Sequence, residues 1–133
     1  MLVLSPSLAT SQVRIYMYGK NVDMRRSFDG LQAIIQSEFK KDVRLGDLFL
    51  FLNRRSDRIK LMYWDQDGFC IFYKRLEIGT YQRPVFKLDC NHVEMDRSEL
   101  MLLLSGIDLQ SAKRRKRYVI DAQTRALLGQ NSA

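Results

Sequence analysis

The chain of 133 residues has one histidine, two cysteines and two prolines, and it has no long hydrophobic run. A helix that spans a bilayer needs about 20 apolar residues, and the short apolar start lacks the basic residues of a signal peptide. A Cys/His metal centre needs more ligands at closer spacing than His92 offers. We therefore expect a cytoplasmic protein without metal or cofactor, in which Cys70 and Cys90 are buried free thiols.

The sequence also lacks a recognisable catalytic constellation. It has no Gly-rich phosphate loop, and no serine or cysteine nucleophile is evident beside His92. A two-metal nuclease would need carboxylates that converge on ions about 4 Å apart. The candidates are turn residues, where Asp and Gly are common for conformational reasons alone: Asp57, Asp65, Asp67 and Glu77. We expect no enzymatic activity, and a metal-dependent nuclease is the third-ranked interpretation.

Positive charge is plentiful, and much of it lies at the end of the chain. The net charge is +7, and residues 111–133 carry six basic residues against one acidic residue, which leaves only +2 for the remainder. Five of these cations are consecutive: Lys113, Arg114, Arg115, Lys116 and Arg117. Such a cluster can neutralise DNA phosphates with an affinity that falls as salt rises. The alternative is a solvated tail that binds nothing.

Apolar periodicity predicts the secondary structure. Alternating apolar residues and short polar turns predict an antiparallel meander, preceded by a first strand and followed by an edge segment that contains Pro84. Apolar residues at three- and four-residue steps from Phe28 to Phe39 predict a helix over about 24–41. Asp96 and Glu99 form a capping-box pattern for a second helix, and Gly106 is its expected C-cap. The expected strands are 13–18, 47–53, 58–64, 69–76 and about 80–88.

These elements predict an α+β fold. We expect a curled antiparallel sheet of four to five strands, covered by one main helix, with a second C-terminal helix and a basic tail. Ile59, Leu61 and Tyr63 share the face of one strand that the first helix is expected to cover. The expected organisation is an arm at 1–12, one domain at 13–110 and a flexible tail at 111–133.

The meander interleaves cations with aromatic rings, which is typical of a binding surface for phosphates and bases. The candidate nucleic-acid-binding residues here are Arg54, Arg55, Arg58, Lys60, Trp64, Lys74 and Arg75. Arg54 and Arg55 lie in a turn and are expected to be unpaired, although ion pairs with neighbouring aspartates are the alternative. Trp64 either stacks on a partner or is covered by the second helix. Arg25 and Arg26 begin the first helix, where a cation is unfavourable, and imply a partner or a local carboxylate.

Four ordered motifs within residues 12–110 resemble a known family. They are residues 23–31 (DMRRSFDGL), 53–60 (NRRSDRIK), 64–70 (WDQDGFC) and 73–77 (YKRLE). The chain thereby resembles the TnpB-type accessory protein, encoded by the second open reading frame of transposons in insertion sequence family sixty-six. The resemblance implies that the element needs the protein to transpose, while a separate, larger protein supplies the transposase chemistry.

The sequence departs from the family pattern at three places. Gln66 stands where members usually have glycine, Gln82 and Arg83 precede Pro84 where an aromatic residue is common, and the tail beyond Ser111 has no evident counterpart. The resulting hypothesis is a non-enzymatic accessory protein of DNA transposition. It would bind transposon DNA, the transposase, or both, through the basic hairpin surface and tail. The alternative is a protein–protein adaptor without direct DNA contact.

Overall fold

The computed structural model describes residues 13–85 and 89–106. It contains the strands β1 (Ile15–Tyr18), β2 (Leu48–Leu52), β3 (Arg58–Asp65), β4 (Gly68–Arg75) and β5 (His92–Met95). They form one sheet in the order β4-β3-β2-β1-β5. Every residue of β1 and β2 is buried. The apolar run LFLFL of β2 has no polar side, so both faces of the sheet centre are covered.

The three strands β2, β3 and β4 form the antiparallel meander that the alternation predicts. β1 is antiparallel to β5 but parallel to β2. A parallel pair requires a crossover connection, and the first helix lies in this connection. The predicted α+β class, with a curled sheet and a C-terminal helix, is confirmed, and one pair of its strands is parallel.

The fifth strand does not lie where the sequence indicated. Residues 80–85 contain no strand, and 86–88 lie outside the described residues. The edge strand is instead β5, whose residues pair with β1 from Ile15↔Met95 to Tyr18↔His92. Pro84 lacks an N–H and restricts the residue before it. Tyr81 in this segment is buried, and its main-chain N–H donates to the carbonyl of Ser56 at 2.6 Å.

The first helix is shorter than predicted and changes its pitch. α1 (Phe28–Ile34) continues into a π-helical turn (Ile35–Phe39), which ends at Lys40 in the left-handed conformation with φ 55°. Leu31, Ile35 and Phe39 are buried as the periodicity predicts, but Phe28 is 44% exposed and lies outside the apolar stripe.

The two helices cover opposite faces of the sheet, and the sequence assigned the first helix to the wrong face. α1 and the π-helical turn pack on the face of Phe49 and Met62. Ile59 and Leu61 lie in the core on the other side, which α2 (Arg97–Ser105) covers. Because both faces of β2 and the middle of β3 are buried, alternation in one strand could not decide which helix covers which face.

Both ends of α2 follow the prediction. The Asp96 side chain accepts from the N–H of Glu99 at 2.8 Å, and the Glu99 side chain accepts from the N–H of Asp96, so the capping box is complete. Gly106 ends the helix with φ 83°, a left-handed conformation that glycine adopts without a steric penalty. These local signals therefore fixed the helix boundaries.

The remaining expectations concern the termini, the thiols and the membrane. Residues 1–12 and 107–133 lie outside the described residues, so the division into arm, domain and tail stays a prediction. Cys70 and Cys90 are free, but Cys70 is only half-buried and Cys90 is exposed, contrary to the expectation of two buried thiols. Within 13–85 and 89–106, no helix has the length and apolar content to cross a membrane.

Candidate nucleic-acid interface

The turn between β2 and β3, residues 53–57, is held in one conformation by Asn53. The Asn53 Oδ1 accepts from the main-chain N–H groups of Asp57 and Arg58, at 3.1 and 3.0 Å. Its Nδ2 donates to the Asp57 carboxylate at 2.6 Å. Ser56 takes the left-handed conformation with φ 56°. An asparagine side chain that hydrogen-bonds main-chain groups a few residues further along the chain takes the place of water at those groups. It thereby favours a single turn geometry.

Arg83, which lies outside the turn in sequence, stabilises the same turn by hydrogen bonds. Its guanidinium donates to Ser56 Oγ at 2.8 Å, to the Asn53 carbonyl at 2.7 Å and to Asn21 Oδ1 at 2.7 Å. Burial lowers the pKa of Arg83 below its ordinary value. The planar fork of arginine suits a bridge between several acceptors. Sequence reasoning missed this role, and the only signal was that Arg83 precedes Pro84, where the resemblance implies an aromatic residue.

Arg54 and Arg55 lie in this turn, which hydrogen bonds from Asn53 and Arg83 stabilise. Both side chains are exposed, and neither forms a hydrogen bond or ion pair with any residue that the structure describes. Asp57, the nearest carboxylate in sequence, is bonded to Asn53 instead. The alternative in which the turn aspartates neutralise these two arginines is therefore wrong for the described part of the chain.

Three more cations lie at the same end of the sheet. Arg58 is directly opposite Arg75 across β3 and β4, and Lys74 is opposite Ile59. Arg58 donates to the hydroxyl of Tyr73 at 3.2 Å, and Arg75 forms an ion pair with Glu77 at 2.8 Å. Like charges that face each other across a strand pair are destabilising unless an anion joins them. We call Arg54, Arg55, Arg58, Lys74 and Arg75 the basic end.

Lys60 does not belong to the basic end. It is 6% exposed, and its ammonium donates to the carbonyls of Met24 and Arg26 at 2.7 and 2.6 Å. The ammonium also lies 4.7 Å from the centre of the Tyr73 ring. Lys60 thus fixes the segment before α1 onto the sheet, and we leave it out of the candidate interface.

Trp64 lies at the opposite end of β3. It is half-buried and packs edge-on against Phe69, with 4.9 Å between ring centres. Trp64 lies six positions along the strand from Arg58, a distance of about 20 Å. The structure therefore does not bring Trp64 together with the arginines, and it places this ring on the α1 side of the sheet rather than under α2.

A cleft of about 700 Å³ adjoins the basic end and is bounded by residues 21–25 and by the turn. Asp23 in this cleft binds the Arg25 guanidinium at 2.7 Å. Hydrogen bonds from the Arg25 side chain and main chain lower the pKa of Asp23 to about 2. Asp23 is thus a local carboxylate for Arg25, as expected, although Arg25 precedes α1 and does not begin it.

The candidate nuclease carboxylates do not converge. Asp57 precedes β3 and Asp65 ends it, so about 26 Å of extended chain separates them. Glu77 is occupied by Arg75. Among the described residues, no group of three or more His, Cys, Asp or Glu side chains could hold a metal ion. The basic tail, Lys113 to Arg117, lies outside the described residues.

Comparison with known proteins identifies the family. The family model described as IS66 Orf2 like protein matches residues 13–114. The chain belongs to the IS66 Orf2-like family. Two relatives come from Sinorhizobium fredii (strain NBRC 101917 / NGR234), the uncharacterized proteins y4jC and y4hO. The first is 36% identical over 103 residues, or 77% of this chain and 86% of the relative. The second is 32% identical over 96 residues, or 72% and 82%. No solved structure matches.

Gln66, at which the resemblance implies glycine, lies in a strained turn. Gln66 has φ 54°, and the N–H of Asp67 donates to the carbonyl of Asp65 across it. A left-handed residue at the centre of a γ-turn is strained unless it is glycine, the residue that the resemblance implies at this position. The family match ends at residue 114 and so includes Lys113 and Arg114, while residues 115–133 lie outside it.

Proposed function

We propose that this chain is a non-enzymatic accessory protein of DNA transposition that binds DNA phosphates at the basic end. The membership in the IS66 Orf2-like family supports the transposition context. The observation that supports DNA contact is the pair Arg54 and Arg55, which is exposed on a turn fixed by Asn53 and Arg83. The transposase of the same element is the expected protein partner, and the cytoplasm, where the element's DNA lies, is the expected location.

The rigidity of the turn matters for binding. A cation on a mobile loop loses conformational entropy when it contacts a phosphate, and that loss weakens the complex. Here the backbone is already ordered by side-chain hydrogen bonds, so only the two arginine side chains must become ordered. Arg58 faces Arg75 beside the turn, and because Arg75 already pairs with Glu77, Arg58 is the cation there that a phosphate would neutralise. The tail, Lys113 to Arg117, would add affinity without sequence preference.

The decisive experiment compares two double variants of the full chain in duplex-binding titrations across a salt series. Arg54→Ala with Arg55→Ala removes two cations of the basic end. Arg14→Ala with Arg44→Ala removes the same charge elsewhere, from arginines that already form ion pairs with Glu94 and Asp42. If each turn arginine binds one phosphate, the slope of log K against log salt falls by about 2 in the first variant only.

The duplexes are a transposon end and a random sequence of equal length. Equal losses of DNA affinity in the two double variants would contradict specific binding at the basic end. The affinity would then depend only on the overall charge. Unchanged DNA affinity, with weaker co-purification of the transposase after the Arg54 and Arg55 substitutions, would establish the adaptor function instead. A preference for transposon ends that is lost with Arg54 and Arg55 would make the turn a reader of DNA sequence.

A further inference from the structure

The outer edge of β4 carries charged residues, which usually protect an edge strand, only at its end, where Lys74 and Arg75 lie. β4 pairs with β3 over eight consecutive positions, from Arg58↔Arg75 to Asp65↔Gly68, without a bulge. No segment among the described residues pairs with its other side. Its stretch from Phe69 to Tyr73 has neither proline nor charge. Natural sheets normally interrupt such an edge with a bulge, a proline or a lysine, because its open N–H and C=O groups pair with other strands.

The opposite edge of the sheet is different. β5 has only four residues, and two of them, His92 and Glu94, are polar. Short strands with charged residues are a common protection against edge pairing. The contrast between the two edges makes β4 the one suited to a strand from outside.

We propose that two copies of this chain pair antiparallel through β4, with Ile71 on the two-fold axis. The sequence around Ile71 is self-complementary in this register. Phe69 faces the partner copy's Tyr73, and Cys70 faces its Phe72, so every apolar residue meets an apolar residue. Asp67, which is exposed just before the strand, faces the exposed Arg75 of the other copy. Opposite charges and aromatic pairs across strands are both stabilising.

Shifted registers lose these matches. Side chains that face each other must lie on the same face of the sheet, so only shifts that preserve this parity are possible. One shift places Tyr73 opposite Asp67, and the other places Phe69 opposite Arg75. The Nε and Nη2 of Arg75 donate to Glu77 within the chain, which leaves Nη1 for the Asp67 carboxylate of the second copy. Charge complementarity therefore selects both the occupant of the edge and its register.

Charge reversal tests this pairing by sedimentation equilibrium of the full chain. Asp67→Arg alone places two guanidinium groups against each other twice per dimer, and Arg75→Asp alone places two carboxylates together twice. Each single variant should weaken the dimer about tenfold. An equimolar mixture of the two should recover a heterodimer, because both contacts of the mixed pair then join an arginine to an aspartate. A wild-type chain that is monomeric, or a mixture that does not recover, would overturn the proposal.

A cross-link provides a second test of the register. In a background with Cys70→Ser and Cys90→Ser, Ile71→Cys places two thiols at the axis and should give a disulfide-linked dimer under mild oxidation. Tyr73→Cys is the matched control, since its counterpart across the axis is Phe69 and no second thiol faces it. Equal cross-linking at both positions, or none at position 71, would contradict the proposed register. Circular dichroism confirms that each variant is folded.

Discussion

Arg83 donates from Nη2 to the main-chain carbonyl of Asn53 at 2.7 Å, across 30 residues of sequence. The same nitrogen bonds Asn21, and Nε bonds Ser56. One half-buried guanidinium thus links the segments of Asn21 and of Arg83 itself to the turn that contains Arg54 and Arg55. The basic end depends on a residue that need not touch DNA itself.

Arg83→Lys tests this dependence without changing the net charge. Lysine cannot reach three acceptors as the arginine fork does. We expect the free energy of unfolding to fall by about 1–3 kcal/mol in urea titrations, and DNA affinity to fall because the turn becomes mobile. Arg44→Lys, which alters an exposed ion pair, should change stability by less than about 0.5 kcal/mol. A stable Arg83→Lys variant would show that the three bonds contribute little.

Lys60→Met should destabilise the protein, although lysine is ordinarily a surface residue. The substitution keeps most of the apolar stem but leaves the carbonyls of Met24 and Arg26 without their donor. We expect a loss of about 2 kcal/mol in chemical denaturation. Lys74→Met removes the same charge from an exposed position on the next strand and should be nearly neutral. Equal stability of the two variants would contradict the internal role of Lys60.

Gln66→Gly should stabilise the protein. The left-handed conformation at φ 54° strains a residue with a Cβ atom by about 1–2 kcal/mol. Glycine relieves this strain but makes the unfolded chain more flexible, so a net gain of about 0.5–1 kcal/mol in the free energy of unfolding is expected. Gly68→Ala is the control, because a Cβ there meets no atom within 4 Å. A melting temperature lowered by Gln66→Gly would show that the glutamine side chain stabilises the turn.

His92 should titrate below its ordinary range. Burial lowers its pKa from 6.5, and the nearby Lys41 lowers it further, while Glu94 opposes them. The folded state therefore binds its proton less readily than the unfolded state. This contribution to stability is complete above pH 6.5 and is lost as pH falls through the folded pKa. Because the chain has one histidine, its NMR titration is unambiguous.

Lys41→Met provides the check on the cause of the shift. Removal of the cation should raise the NMR midpoint of His92 towards 6.5, while burial keeps it below that value. A wild-type midpoint at or above 6.5 would contradict the environment that the structure gives this ring, which lies 4.8 Å from the ring of Phe39.

The sequence determined the features that depend on neighbours within a few residues. The capping box of Asp96 and Glu99 needs only a three-residue spacing, and the β2–β3–β4 meander needs only alternation and short turns. For this reason the α+β class, the second helix and its C-cap at Gly106 followed from the sequence. The positions of Arg54 and Arg55 in a turn followed in the same way, and so did the family, through its ordered motifs.

The tertiary structure decided what each strand face and each cation does. Lys60 and Arg58 lie on the same face of β3. Lys60 is buried and donates to carbonyls 34 and 36 residues away, whereas Arg58 donates to Tyr73. No periodicity distinguishes them, because burial depends on which segment the chain folds across each face. Long-range contacts likewise determine which face α1 covers, which segments Arg83 joins and where β5 lies in the sheet. Their free energies arise only when distant segments pack together, so they leave no local pattern in the sequence.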